Sequence, residues 1–115
     1  MDAKRTQKIL GQCHPMWWGQ FQVDDPQRRV WAKLKPAQIV DLLDNCAYSA
    51  NFVARQLITL METRTWRLRA TAHQGGTGDD RGVDKSLHIT VQVGNVSYHL
   101  RCKETPSLHI VQITR

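Results

Sequence analysis

An α+β architecture follows from three patterns in the 115-residue sequence. Apolar residues recur with a helical period from Ile39 to Met61, strict alternation begins at Trp66, and two further alternating runs are joined by Gly94-Asn95. Helical sequence followed by strands with hairpin-length or loop connections predicts an N-terminal helical and aromatic segment and one main amphipathic helix. These pack on one face of an antiparallel sheet of about four strands.

Lys4, Arg5 and Lys8 surround only two large apolar residues, Ile9 and Leu10, so residues 1–12 support a short helix ending near Gly11 and an N-terminus free to move. From Met16 the run Trp17, Trp18, Phe21, Val23 is aromatic and partly alternating. Asp24-Asp25-Pro26-Gln27 then supplies turn chemistry before Arg28 to Leu34. A hairpin accounts for this stretch, and so does an irregular apolar arm. Either one buries Trp17, Trp18 and Trp31.

Pro36 stands where a first helical residue is favoured, and Ile39, Leu42, Leu43, Cys46, Ala50, Val53, Leu57, Leu60 and Met61 follow one helical face. Asp41 and Asp44 fall early and Arg55 and Arg64 late, as the helix dipole favours. Asn45 to Ser49 is the place where the run would divide in two. The next segment alternates, with Trp66, Leu68, Ala70 and Ala72 expected inward and Arg67, Arg69, Thr71 and His73 outward. Gln74 to Lys85, with four glycines and three aspartates, reads as a long mobile loop. Strands Leu87 to Val93 and Val96 to Cys102 flank Gly94-Asn95, a type II′ hairpin signal. A last strand runs from Leu108 to Thr114.

This length and 41% apolar content describe one domain, residues 1–115, able to bury about two thirds of its unfolded surface without disulfides or a structural metal. No apolar run approaches the ~20 residues needed to cross a bilayer, and Met1 to Thr6 leads into no signal-like stretch. No membrane association is expected. Three cysteines, an odd number without a CxxC spacing, suit a reducing cytoplasm, with Cys46 and Cys102 as small core hydrophobes. Sixteen Lys plus Arg against ten Asp plus Glu give a net charge of +6. A basic balance favours polyanionic partners, RNA more than DNA.

Register supplies a candidate site. A two-residue turn sets Thr90 opposite His99 and His88 opposite Arg101. If residues 103–107 close the next hairpin directly, Arg101 also faces His109. A row His88, Arg101, His109 then crosses three strands, the outer two about 10 Å apart. Metal-independent RNA cleavage needs a base, an acid and a cation to hold the phosphate, and two histidines with an arginine meet that requirement. His88 and His109 are the candidate acid and base and Arg101 the phosphate anchor, with His99 and Thr90 supporting; Arg67, Arg69 and His73 extend the face along RNA.

Other motifs are thinner. Gly75 to Gly82 lacks the Lys-Ser/Thr ending of a phosphate loop; Asp79, Asp80 and Asp84 lack the calcium-loop pattern; Cys13-His14 has no matching pair for zinc; and Ser97 with His99 lacks an acidic orienter. No cofactor or metal is expected. Trp17-Trp18 suits core packing better than base stacking. In order of elements alone, residues 36–114 resemble the small bacterial ribonuclease toxins of the barnase, colicin and RelE-like group, without a shared motif; the resemblance implies a catalytic sheet face. The expectation is a small basic RNA-directed domain, with metal-independent ribonuclease activity as its enzymatic form. The alternative is a non-enzymatic nucleic-acid-binding or protein-interaction module of phage, mobile-element or accessory type. The final strand, at the sheet edge, offers a route to a homodimer.

Overall fold

The computed structural model describes the chain except residues 15–18, 26–27, 47–50, 75–84 and 104–105. It also leaves undescribed the side chains of 19–25, 28–33, 51, 70–74 and 85–86. Of the expected loop, Gln74 and Lys85 prove to be strand ends and 75–84 lies outside the described residues, as does the expected burial of Trp17, Trp18 and Trp31.

The first helix, α1 (Ala3–Gly11), starts where Asp2 Oδ1 accepts the Arg5 backbone N–H at 2.8 Å, satisfying one of the free donors of the first turn. The sequence leaves this end unanchored, but the structure docks it. Ile9 is fully buried, its carbonyl accepts the indole N–H of Trp66 at 2.8 Å, and Arg5 pairs with Glu62. The segment after α1 then runs briefly parallel to the start of the main sheet, with Cys13 bridged to Trp66 and His14 N–H donating to the Trp66 carbonyl at 2.8 Å.

Strands β1 (Gly19–Asp25) and β2 (Arg28–Leu34) pair antiparallel as a two-stranded ribbon, with Phe21 opposite Ala32 and Asp25 opposite Arg28. The hairpin reading of this stretch is the one realised, and β1 lies alongside the main sheet's first strand.

The main helix is divided. Helix α2 (Pro36–Asp44) opens on proline, and the Gln38 side chain accepts the Lys35 backbone N–H at 2.7 Å; α3 (Asn51–Thr63) carries the remainder of the apolar period. Asn45 Nδ2 donates to the Asp41 carbonyl at 2.8 Å, the local side-chain competition that ends a helix. The division reverses one expectation. Asp41 and Asp44 sit toward the C-terminal end of α2, so neither complements its dipole, and no acid occupies its first turn.

Strands β3 (Trp66–Gln74), β4 (Lys85–Val93), β5 (Val96–Lys103) and β6 (His109–Thr114) form one antiparallel sheet in chain order. An α+β fold with a four-stranded antiparallel sheet is therefore present. The inner face contributes Trp66, Leu68, Leu87, Ile89, Val91, Val93, Tyr98, Leu100, Cys102, Ile110 and Ile113 to a core that Ile9, Ile39, Leu43, Ala54, Leu57 and Met61 complete from the helices. Gly94 holds φ at +58°, the left-handed value that a two-residue hairpin turn requires at its first central position.

Candidate nucleic-acid interface

Alternation and turn length decide the open face of the sheet. Because Gly94-Asn95 joins β4 to β5 without extra residues, His88 pairs with Arg101 and Thr90 with His99, as their spacing predicts. These four form a two-by-two block. Thr90 Oγ1 lies 3.4 Å from His99 Nδ1. His88 and Thr90 are half-buried, whereas His99 and Arg101 are exposed. His88 and His99 are diagonal neighbours, with an expected separation of about 7–8 Å.

The second half of the expected row is corrected. Lys103, not Arg101, stands opposite His109; after Cys102 pairs with Ile110 the register shifts, so that Arg101 faces Gln112 and Leu100 faces Ile113. Val111 has no partner and forms a bulge. The His109 pairing follows from the ladder starting at Lys103, and the shift beyond Ile110 follows from burial. A continuous ladder would have turned Ile113 toward solvent, while one unpaired residue lets both Ile110 and Ile113 enter the core. His109 thus stands two strands across and one pair along from His88, about 12 Å away by strand spacing. The histidine that approaches His88 is His99. His109 has its own arrangement: its Nδ1 donates to the Ser107 carbonyl at 2.7 Å, which fixes the proton on Nδ1 and leaves Nε2 as the acceptor of the neutral ring.

On β3, Arg67 pairs with Gln92 and Arg69 with Thr90. Arg69 is exposed and Arg67 half-buried. Thr71 and His73 occupy register positions opposite His88 and Ser86; the side chain of His73 lies outside the described residues. Lys103 shares the parity of His99 and Arg101 on β5, and sequence reasoning passed over it. Carrying the alternation one pair further would have found it.

The four strands contain no aspartate or glutamate. Every described carboxylate side chain belongs to the helical half of the chain: Asp2, Asp41, Asp44 and Glu62. In register terms the permanent cations of the open face run diagonally, Arg67 and Arg69 on β3, then Arg101 and Lys103 on β5, with the His88 block midway. Two-residue steps of ~6.8 Å and strand spacings of ~4.8 Å give this stripe a length of roughly 22 Å.

Among the described residues, no group of three or more His, Cys, Asp or Glu is placed to hold a metal ion. A concavity of about 410 Å³ lies on the helical side, lined by Arg5, Leu43, Asp44, Cys46, Arg55 and Thr59 among others, and contains none of the sheet residues. Burial pushes the thiols of Cys13 and Cys46 up, and that of Cys102 up to about 12, burial first and the neighbouring Cys46 second. No reactive thiolate therefore accompanies the site. No helix among the described residues is long and apolar enough to cross a membrane. Compared with known proteins, the chain matches no family model, no curated protein and no solved structure.

Proposed function

We propose that this chain is an RNA-directed domain that holds the phosphate backbone on the open face of its four-stranded sheet. The observation that carries the reading is the acid-free sheet: Arg67, Arg69, Arg101 and Lys103 share a face on strands that carry no carboxylate. A lone surface cation is commonly neutralised by a neighbouring acid. Four cations on strands without Asp or Glu give this face a positive field that favours phosphate, and each phosphate contact releases counterions. Binding of mixed tRNA and of a generic single-stranded RNA, followed by electrophoretic shift with EDTA present, tests the reading. A shift that weakens steeply with salt supports it. Absence of binding at low salt defeats it.

Cleavage is the second reading, favoured by one observation, the His88, Thr90, His99, Arg101 block. One histidine takes the proton of a ribose 2′-hydroxyl while the O2′–P bond forms; the other gives its proton to the 5′-oxygen as the P–O5′ bond breaks. The products are a 2′,3′-cyclic phosphate and a 5′-hydroxyl, and Arg101 holds the charge that builds on the non-bridging oxygens. The histidine roles have exchanged at the end of the step, and proton transfer through water restores them. His88→Ala and His99→Ala should each lower turnover at least a hundredfold while RNA affinity stays within about threefold. Equal loss of affinity and turnover in both variants would assign these residues to binding alone. The register correction gives His109→Ala a smaller effect on turnover than either.

A further inference from the structure

Resting on the RNA-directed reading, we propose that the partner is an extended single strand, held by its backbone without regard to base sequence and laid diagonally from β3 to β5. Three features of the face lead there. The first is the shape of the charge: the permanent cations form one line, Arg67, Arg69, Arg101, Lys103, with uncharged Gln92, Ser97, Gln112 and Thr114 to its sides. A duplex presents two backbones separated by a groove, and one line of cations on a sheet face meets only one of them, over a short arc. A flexible strand follows the line from end to end.

The second feature is spacing. Neighbouring cations on one strand stand ~6.8 Å apart, and the line measures roughly 22 Å. A nucleic-acid strand rises only ~3.4 Å per nucleotide when stacked in a duplex and lengthens when unstacked, so the ~6.8 Å steps within β3 and within β5 match successive phosphates of an extended strand and the ~12 Å step from Arg69 to Arg101 passes over one.

The third is what the face lacks. Large aromatic platforms hold bases on many sheets and single-strand grooves, and the rings that the open face's described residues offer include the imidazoles of His88 and His99. Tyr98, the aromatic residue of β5, points inward and is 3% exposed, and Trp66 is fully buried in the core. The described side chains of the open face are Arg, Lys, His, Thr, Ser and Gln. Contacts to phosphate set position and carry no sequence information.

The test compares the full chain's affinity for dodecauridylate, dodecaadenylate and a self-complementary RNA duplex of equal length, each across a salt series. The two single strands should bind within threefold of each other and the duplex at least tenfold more weakly. Four contacts predict a slope of log affinity against log salt near −3 for dodecauridylate, at ~0.7 per phosphate; Arg69→Gln, Arg101→Gln and Lys103→Gln should each reduce it by about 0.7. Arg101→Lys should keep the slope, separating lost charge from lost folding. Duplex affinity equal to that of the single strands, a tenfold preference between the two homopolymers, or slopes indifferent to the substitutions would overturn the inference and leave the RNA-directed face standing. Binding of none of the three would remove both.

Discussion

Gly94 occupies the left-handed region at φ +58°, with nothing within 4 Å of where a Cβ would stand. The cost of a side chain there is conformational, not steric contact. Gly94→Ala should destabilise the fold by about 1 kcal/mol and Gly94→Asn by less, read as a lower urea midpoint at an unchanged denaturant slope. Cys102 makes a different prediction at the same scale. Its thiol is raised from 9.0 to about 12 by burial and by Cys46 beside it. The folded state thus retains a proton that the unfolded state releases above pH 9. Stability from this group is complete below that pH and declines as pH rises toward 12, by up to about 1.4 kcal/mol per pH unit. Cys102→Ala should flatten this alkaline decline relative to the parent chain, in unfolding curves measured at successive pH values. An unchanged slope would show that other groups control it.

At the scale of elements, the bulge at Val111 explains how one strand serves two demands. The ladder resumes with Gln112 opposite Arg101, so the residues either side of Val111 keep the faces that a continuous strand would give without it. Deleting Val111 should therefore leave a foldable sheet, its stability changed by about 1–2 kcal/mol for the lost half-buried side chain. Cross-strand proton contacts between Arg101 and Gln112 would persist in the NMR spectrum of that variant. Deleting Leu100 instead turns Arg101 and Lys103 inward and should abolish folding. These elements also show what was legible beforehand. The pairings of His88 with Arg101 and Thr90 with His99 could be read because a two-residue turn fixes register and alternation fixes face. The pairing of His109 could not, since a five-residue connection does not fix which residues close it: the ladder begins at Lys103 with His109, and the bulge, which alternation does not mark, then displaces Gln112 to Thr114. Its trace was Ile110 and Ile113, three positions apart and both large and apolar. The division of the main helix was visible at Asn45, but its consequence for Asp41 and Asp44 needed the helix end itself.

At the scale of the whole molecule, chemistry and support are segregated: the helices close the core from one side, and the opposite face of the sheet keeps its cations. The docking of α1 belongs to this scale, because Ile9 and the Trp66 indole join residues 57 positions apart. Ile9→Ala should cost about 2–4 kcal/mol in one cooperative transition monitored by circular dichroism and tryptophan fluorescence together. Two separated transitions would mean that α1 is an appendage instead. Sequence reasoning missed this anchor because two apolar residues look too few to hold a helix, whereas the indole hydrogen bond and the Arg5–Glu62 pair come from residues far along the chain.

That same contact has a consequence in time. A nine-residue helix is too short to persist alone in water, and its receptor is built around Trp66 at the start of β3. During synthesis α1 therefore waits, unstructured, until Trp66, 57 positions beyond Ile9, has followed it.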